Sequence, residues 1–309
     1  MKKYGLLPHK KQRIYGLSPS SAQILGWEIL KFNVQRVWNK STGKDVKIGV
    51  LDTGCDISHP DLKENVICGY NAIEQNDNIF DDNGHGTHVS GTIAAKNNHT
   101  GMVGVAPDAK VVPIKILNKN GTGSDKHIAD GILWAVENDC DILTMSLGSV
   151  FASKLIQKAI DYAVLKKCAV FAAAGNSGDD SDLMYPAKFG TTVAIGSVDR
   201  DLKRSKFSCA GDELDFLSPG EDILSCAPNG QYVLMSGTSM ATPFAVGCAA
   251  LLLSMIRSKY KDQKYRLGHA EYIDIFQKIS VPLSQAEFQD KKYNGYGIIQ
   301  PVSNLSRVL

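Results

Sequence analysis

The sequence has no CxxC pair, and its seven cysteines (Cys55, Cys68, Cys140, Cys168, Cys209, Cys226 and Cys248) are odd in number and irregularly spaced. That excludes a disulfide framework and a cysteine-based zinc site, and it predicts reduced thiols partly buried in the core. No stretch approaches about 18 uninterrupted apolar residues, so no membrane span is expected. The basic start MKKYGLLPHKKQRIYG offers only Leu6 and Leu7 as a hydrophobic pair. A secretory leader needs roughly 7–15 apolar residues, so the reading is a cytoplasmic chain. The net charge of +2 is too small for a nucleic-acid partner.

What is present is a chain of 309 residues, 43% hydrophobic and 21% charged, enough for a large core. Charge is uneven. Residues 1–50 carry ten Lys and Arg against two Asp and Glu; the remainder carries 24 against 30. A basic N-terminal arm thus precedes an acidic body. It reads either as a solvated tail or as something the body attracts.

Short apolar runs alternate with helical stretches. VKIGVL (46–51), VVPIKIL (111–117), DILTMSL (141–147), CAVFAAA (168–174) and TVAIGSV (192–198) read as buried parallel strands. Residues 87–96, 124–139, 153–167 and 239–256 read as helices; in the third, Leu155, Ile156, Ala159, Ile160, Ala163 and Val164 keep a 3–4 spacing. The expected fold is α/β, a mostly parallel central sheet covered by helices on both faces. The organisation is one domain over 22–309 behind an extension, 1–21. In such sheets functional groups gather at the carboxyl ends of strands, where Asp52 and Asn176 fall.

Three segments carry chemistry: VLDTGCD with Asp52, NGHGTHVSGTIAA with His85, and SGTSMATP with Ser239. Each alone is ambiguous between a chemical role and a cap or turn residue. Together, in the order Asp, His, Ser, they resemble the subtilisin-like serine proteases, the subtilase family, from about residue 22 to about 305. The resemblance implies a three-layer subtilisin-like fold and a serine endopeptidase. His85 would take the Ser239 proton, Asp52 would orient the imidazole, and Asn176 in AAAGNSG would donate its amide to the oxyanion, beside the Ser239 N–H. His88 would pack within its helix. Pro243 is expected in the first turn of the helix after Ser239, and Phe244, where the family usually has His, implies altered packing. Met240 beside the serine is expected to be open to oxidation.

The same resemblance places substrate, as an added β-strand, between Gly121, Thr122 and Gly123 on one side and Ser146, Leu147 and Gly148 on the other. Met184 would lie near the base of the first specificity pocket. It implies a calcium ion held by Asp61, Asn98 and Gln23 with carbonyls of Lys96, Thr100 and Met102, and a weaker cation site at Asp215 with carbonyls of Ala187, Phe189 and Thr192. Asp81, Asp82, Asp125, Asp179, Asp180 and Asp182 cluster near the cleft. They are solvated surface charge, or they attract basic substrate positions or the basic arm.

The chain most resembles the intracellular subtilisins, whose short extension lies across the active site. Leu6, Leu7, Pro8 and His9 match its Leu-Ile-Pro-Tyr type motif except that His9 replaces Tyr. The arm is therefore expected to inhibit, and the enzyme to be made as a zymogen. Protein and peptide substrates are the partners implied, with a homodimer by analogy. Two other readings stay open: a dedicated processing protease for one partner, and an inactive subtilase-like protein that binds peptides.

Overall fold

A computed structural model describes residues 2–13 and 22–302 of the chain. Residues 1 and 14–21 of the expected extension, and 303–309 of the expected domain, lie outside the described residues. The strands are β1 (Lys3–Leu6), β2 (Lys10–Arg13), β3 (Lys47–Asp52), β4 (Tyr70–Asn71), β5 (Lys110–Lys115), β6 (Thr122–Ser124), β7 (Ile142–Met145), β8 (Leu147–Gly148), β9 (Ala169–Ala173), β10 (Val193–Val198), β11 (Phe216–Pro219), β12 (Ile223–Ala227) and β13 (Gln231–Ser236). The helices are α1 (Trp27–Lys31), α2 (Val34–Trp38), α3 (His85–Ala94), α4 (Asp125–Glu137), α5 (Lys154–Leu165), α6 (Thr238–Tyr260), α7 (His269–Ile279) and α8 (Lys291–Asn294).

Seven strands form one parallel sheet in the order β11-β10-β9-β7-β3-β5-β4. Because side chains alternate along a strand, each central strand feeds two cores. Ile48, Val50, Val111, Ile142 and Phe171 face the cluster built with α3, α6 and α7. Leu51, Val112, Ile114, Leu143 and Val170 face the cluster built with α4 and α5. This is the three-layer α/β arrangement expected. Helix α6 is long and apolar enough to cross a membrane by composition alone. Its Ser and Thr interrupt the apolar run, which is why no span was expected, and nearly all of it is buried between the other layers.

Two small sheets flank the carboxyl end of this sheet. One is β6-β1-β8, the other β12-β13-β2. Both contain a strand of the N-terminal arm, a feature the apolar patterning of Lys3–Arg13 does not announce. Among the described residues six cysteines are buried and free and only Cys68 is exposed.

Candidate active site

Asp52 is the last residue of β3 and His85 opens α3, so a strand end and a helix start bring them together. His85 Nδ1 lies 2.8 and 3.0 Å from the two Asp52 oxygens, and both residues are about 1% exposed. The Thr53 N–H donates to Asp52 Oδ1 at 2.8 Å, so the carboxylate is held from two sides. His85 Nε2 is buried and has no hydrogen-bond partner. The turn that delivers His85 rests on Asp81, which the sequence reading left among the surface acids. Asp81 is buried: Oδ1 accepts from Thr53 Oγ1 and from the Asn83 and Gly84 amides, and Oδ2 from the Thr87 amide and hydroxyl. With five donors on two oxygens it has no capacity left for substrate. Asp82 is likewise occupied, by Lys115 Nζ at 2.8 Å, and Asp182 by Lys188.

Ser239 is the second residue of α6. Its Oγ donates to the Ser146 carbonyl at 3.2 Å. Pro243 is the sixth residue of α6, not in its first turn as expected, so the amide that would bond the Ser239 carbonyl is missing. Ser146 Oγ supplies that bond at 3.0 Å. The Ser239 turn and the Ser146–Gly148 edge are thereby tied to each other twice. Asn176 Oδ1 accepts from the Thr238 amide (2.9 Å) and hydroxyl (2.7 Å). That fixes its amide orientation, and Nδ2 points outward to the Pro8 carbonyl at 2.7 Å.

Three nearby expectations concern packing. His88 is buried with Nε2 on the Ile223 carbonyl at 3.1 Å; burial first, and His85 next, push it down to about 3. It stays neutral and structural. Phe244 is buried edge-on against Phe32, ring centroids 5.1 Å apart. Met240 is fully buried among Ile223, Ala227, Val233 and Met235, which corrects the expectation that it is open to oxidation.

The arm runs through the cleft. Strand β1 pairs antiparallel with β6, Tyr4 opposite Gly123 and Gly5 opposite Thr122, and with β8, Gly5 opposite Gly148 and Leu6 opposite Leu147. Four of the six residues expected to flank a substrate strand therefore pair with this one, the Gly121 carbonyl accepts from the Leu6 amide at 2.8 Å, and Ser146 instead faces Ser239. Leu7 is 2% exposed. A Cβ added at Gly148 would lie 2.7 Å from Leu7 Cδ2 and 3.0 Å from Met184 Cβ, so Leu7 fills a pocket between Gly148 and Met184 that only glycine leaves open. His9 follows, its Nδ1 3.0 Å from the Leu7 carbonyl and its ring 5.1 Å from the His85 ring. Beyond it β2 pairs with β13, Lys10 opposite Ser236 and Arg13 opposite Val233.

The candidate calcium residues converge as well. Gln23 Nε2 lies 2.9 Å from the Lys96 carbonyl, 3.3 Å from the Met102 carbonyl and 3.4 Å from Asn98 Oδ1. Asn98 Nδ2 is 3.0 Å from Asp61 Oδ1, and the Thr100 amide and hydroxyl donate to Asn98 Oδ1. Three oxygens thus surround one amide nitrogen, and a Gln amide can present its oxygen there equally well. This hard-oxygen donor set fits calcium. The second candidate set does not assemble in the same way. Thr192 Oγ1 donates to the Ala187 and Phe189 carbonyls at 3.1 and 2.8 Å, while Asp215 accepts from the Ala194 amide at 2.9 Å. Burial pushes Asp215 up to about 7.

Comparison with known proteins gives one consistent picture. Residues 43–270 match the family model described as the subtilase family. The chain is 41% identical over 280 residues to the Intracellular serine protease of Paenibacillus polymyxa, covering 88% of this chain and 84% of that protein. It is 41% identical over 263 residues to the Major intracellular serine protease of Bacillus subtilis (strain 168), covering 81% of each. Against Subtilisin E of the same organism identity is 43% over 243 residues, which is 75% of this chain and 63% of that protein.

Proposed function

The chain belongs to the subtilase family and is a serine endopeptidase, and we propose that Asp52, His85 and Ser239 carry its chemistry, with a broad choice of substrates and an intracellular place of work. The observation that carries this reading is the buried Asp52–His85 pair at 2.8 Å, with the His9 ring 5.1 Å from the His85 ring and the His9 Cβ 3.4 Å from where a Cβ on Gly237 would stand, two residues before Ser239. His85 Nε2, unpartnered, takes the Ser239 proton when the hydroxyl turns from Ser146. The alkoxide attacks the substrate carbonyl, and the imidazolium is stabilised by Asp52. The oxyanion receives Asn176 Nδ2 and the Ser239 N–H, which as the second amide of α6 has no acceptor within the helix. His85 then returns its proton to the leaving amine, and water repeats the cycle on the acyl-enzyme.

Main-chain pairing with β6 and β8 reads no side chains, which supports broad specificity. Unfolded casein should be cut into many fragments, visible on a gel. One product or none would favour a dedicated processing enzyme instead. Two relatives carry the word intracellular in their names, and that supports the cytoplasmic placement.

The arm, in this reading, is the enzyme's own inhibitor. Leu7 occupies the first side-chain pocket, yet the carbonyl on Asn176 is that of Pro8, one residue further on. The bond after the pocket residue is Leu7–Pro8, and its carbonyl is engaged by His9. Side chain and carbonyl are out of step by one residue, so no bond is presented with both in place. Proline enforces this, since it fixes φ and lacks an N–H.

Gln23, Asp61, Lys96, Asn98, Thr100 and Met102 would hold a calcium ion. Bound there, the ion supplies charge compensation for Asp61 and ties the chain around Ala22–Ile24 to the loop after α3, where Ala22 bridges Thr100 and Ile24 bridges Met102. A ligand at about 100 times its Kd adds ~2.7 kcal/mol. Chelation should therefore lower Tm by about 4 °C, read by differential scanning calorimetry with and without EDTA. An unchanged Tm would remove calcium from the account.

A further inference from the structure

Tyr4, opposite Gly123 in β1, is 1% exposed and lies three residues before Leu7. If Leu7 marks the first side-chain pocket, Tyr4 marks the fourth. The pocket's apolar part belongs to the cluster that includes Ile128, Leu147 and Ile156. Its polar end is composed of acceptors. The Phe151 carbonyl takes the Tyr4 hydroxyl proton at 2.8 Å, and the neighbouring Ala152 carbonyl takes Lys2 Nζ. Asp125, 8% exposed, accepts from Ser153 through Oδ2 at 3.1 Å, while its Oδ1 is buried with no partner. The Asp125 amide donates to the Lys2 carbonyl at 3.2 Å, and Lys3 and Tyr4 pair with Ser124 and Gly123, so Asp125 sits beside the start of β1; burial first, and the Asp125 charge next, push the Tyr4 phenol up to about 12.

A buried carboxylate oxygen with no donor is costly. A phenol has one proton, and Tyr4 spends it on Phe151. A guanidinium has five donors in a fixed fork and can serve the carbonyl and the free carboxylate oxygen together. Its methylene stem suits the apolar wall that the tyrosine ring now covers. We propose that this pocket selects arginine at the fourth residue before the cleaved bond, with Asp125 as the determinant. The inference rests on the peptidase reading above and gives it a substrate class: chains with a basic residue at that position. It also narrows the expectation for the cleft acids. Asp81 and Asp82 are already paired, and among the described residues Asp125 is the cleft acid with a buried, unpartnered oxygen.

The test uses the full chain with Tyr4→Asp and Leu7→Asp, which free the cleft, and three fluorogenic peptide amides of sequence X-Gly-Leu-Leu. With X as arginine, kcat/KM should exceed that with X as tyrosine or as citrulline by about 10- to 100-fold, the range expected of a charge-assisted hydrogen bond. Citrulline keeps the shape and removes the charge, so the comparison does not depend on a further protein variant. Adding Asp125→Asn should bring the arginine-to-citrulline ratio close to one. A ratio below about threefold, or one that survives Asp125→Asn, overturns the inference while leaving the peptidase intact. Failure to cut any of the three overturns the peptidase reading and this inference with it.

Discussion

Ser239→Ala should lose about 10⁶-fold in kcat on any peptide, the loss that subtilisin itself shows when its triad serine or histidine is removed. The reason lies in the connections already described. His85 and Asp52 form a unit whose only outward-facing atom is the buried Nε2. Without the Ser239 hydroxyl that atom has no nucleophile to activate, and the remaining Asn176 amide stabilises an oxyanion that never forms. The fold should not suffer. Ser239 Oγ makes one hydrogen bond, to the Ser146 carbonyl, and the tie in the other direction, Ser146 Oγ to the Ser239 carbonyl, needs no side chain at position 239. A Tm within about 2 °C of the unsubstituted chain, together with the lost activity, is the expected pair of results. A residual rate near the original would contradict the assignment of the nucleophile.

Leu7→Asp should raise peptidase activity of the full chain by about 10- to 100-fold. Burying a leucine side chain contributes about 1.5–3 kcal/mol, and each 1.4 kcal/mol is a factor of about ten in the docked fraction of the arm. The substitution removes that contribution and puts a charge against Gly148 and Met184. Equal rates for the two chains would mean that the arm does not inhibit. The latch also has a pH dependence with a definite sign. Burial first, and the facing His85 next, hold His9 below the ordinary imidazole range; the Leu7 carbonyl and Asp52 act the other way, and Lys11 with His85. The docked arm therefore prefers neutral His9. Docking is at full strength above about pH 6.5, where free histidine is neutral, and weakens by up to about tenfold per pH unit below it. The ratio of the unsubstituted rate to the Leu7→Asp rate cancels the titration of the catalytic groups and should rise from pH 7.5 to 5.5. His9→Phe should flatten that rise.

Much of this arrangement is legible in the sequence because local rules and long-range geometry agree. Residues 46–51 alternate too little to be a surface strand, so VKIGVL had to be buried on both faces, and its carboxyl end had to carry Asp52 to a cleft. The helix after His85 and the helix through Ser239 follow from apolar content and small residues. The arm is different. KYGL and KKQR carry no apolar period, and they become strands only because β6, β8 and β13 offer edges to pair with. That is tertiary context overriding local propensity. Asp81, Asp82 and Asp125 show the same limit. Side by side in composition, they separate only once their partners are known: five donors on Asp81, Lys115 on Asp82, and one free oxygen on Asp125. A helix opening at 239 already puts Pro243 at its fifth position, and the observed start at Thr238 puts it at the sixth, past the first turn in either case.

In this reading Ser239 is an activated serine held shut by the chain's own arm. Intact-mass measurement after brief exposure to a fluorophosphonate tests it most directly, on the unsubstituted chain, Leu7→Asp and Ser239→Ala side by side. One adduct is expected, forming slowly on the first, rapidly on the second and never on the third. A folded Leu7→Asp chain that takes up no label would contradict it.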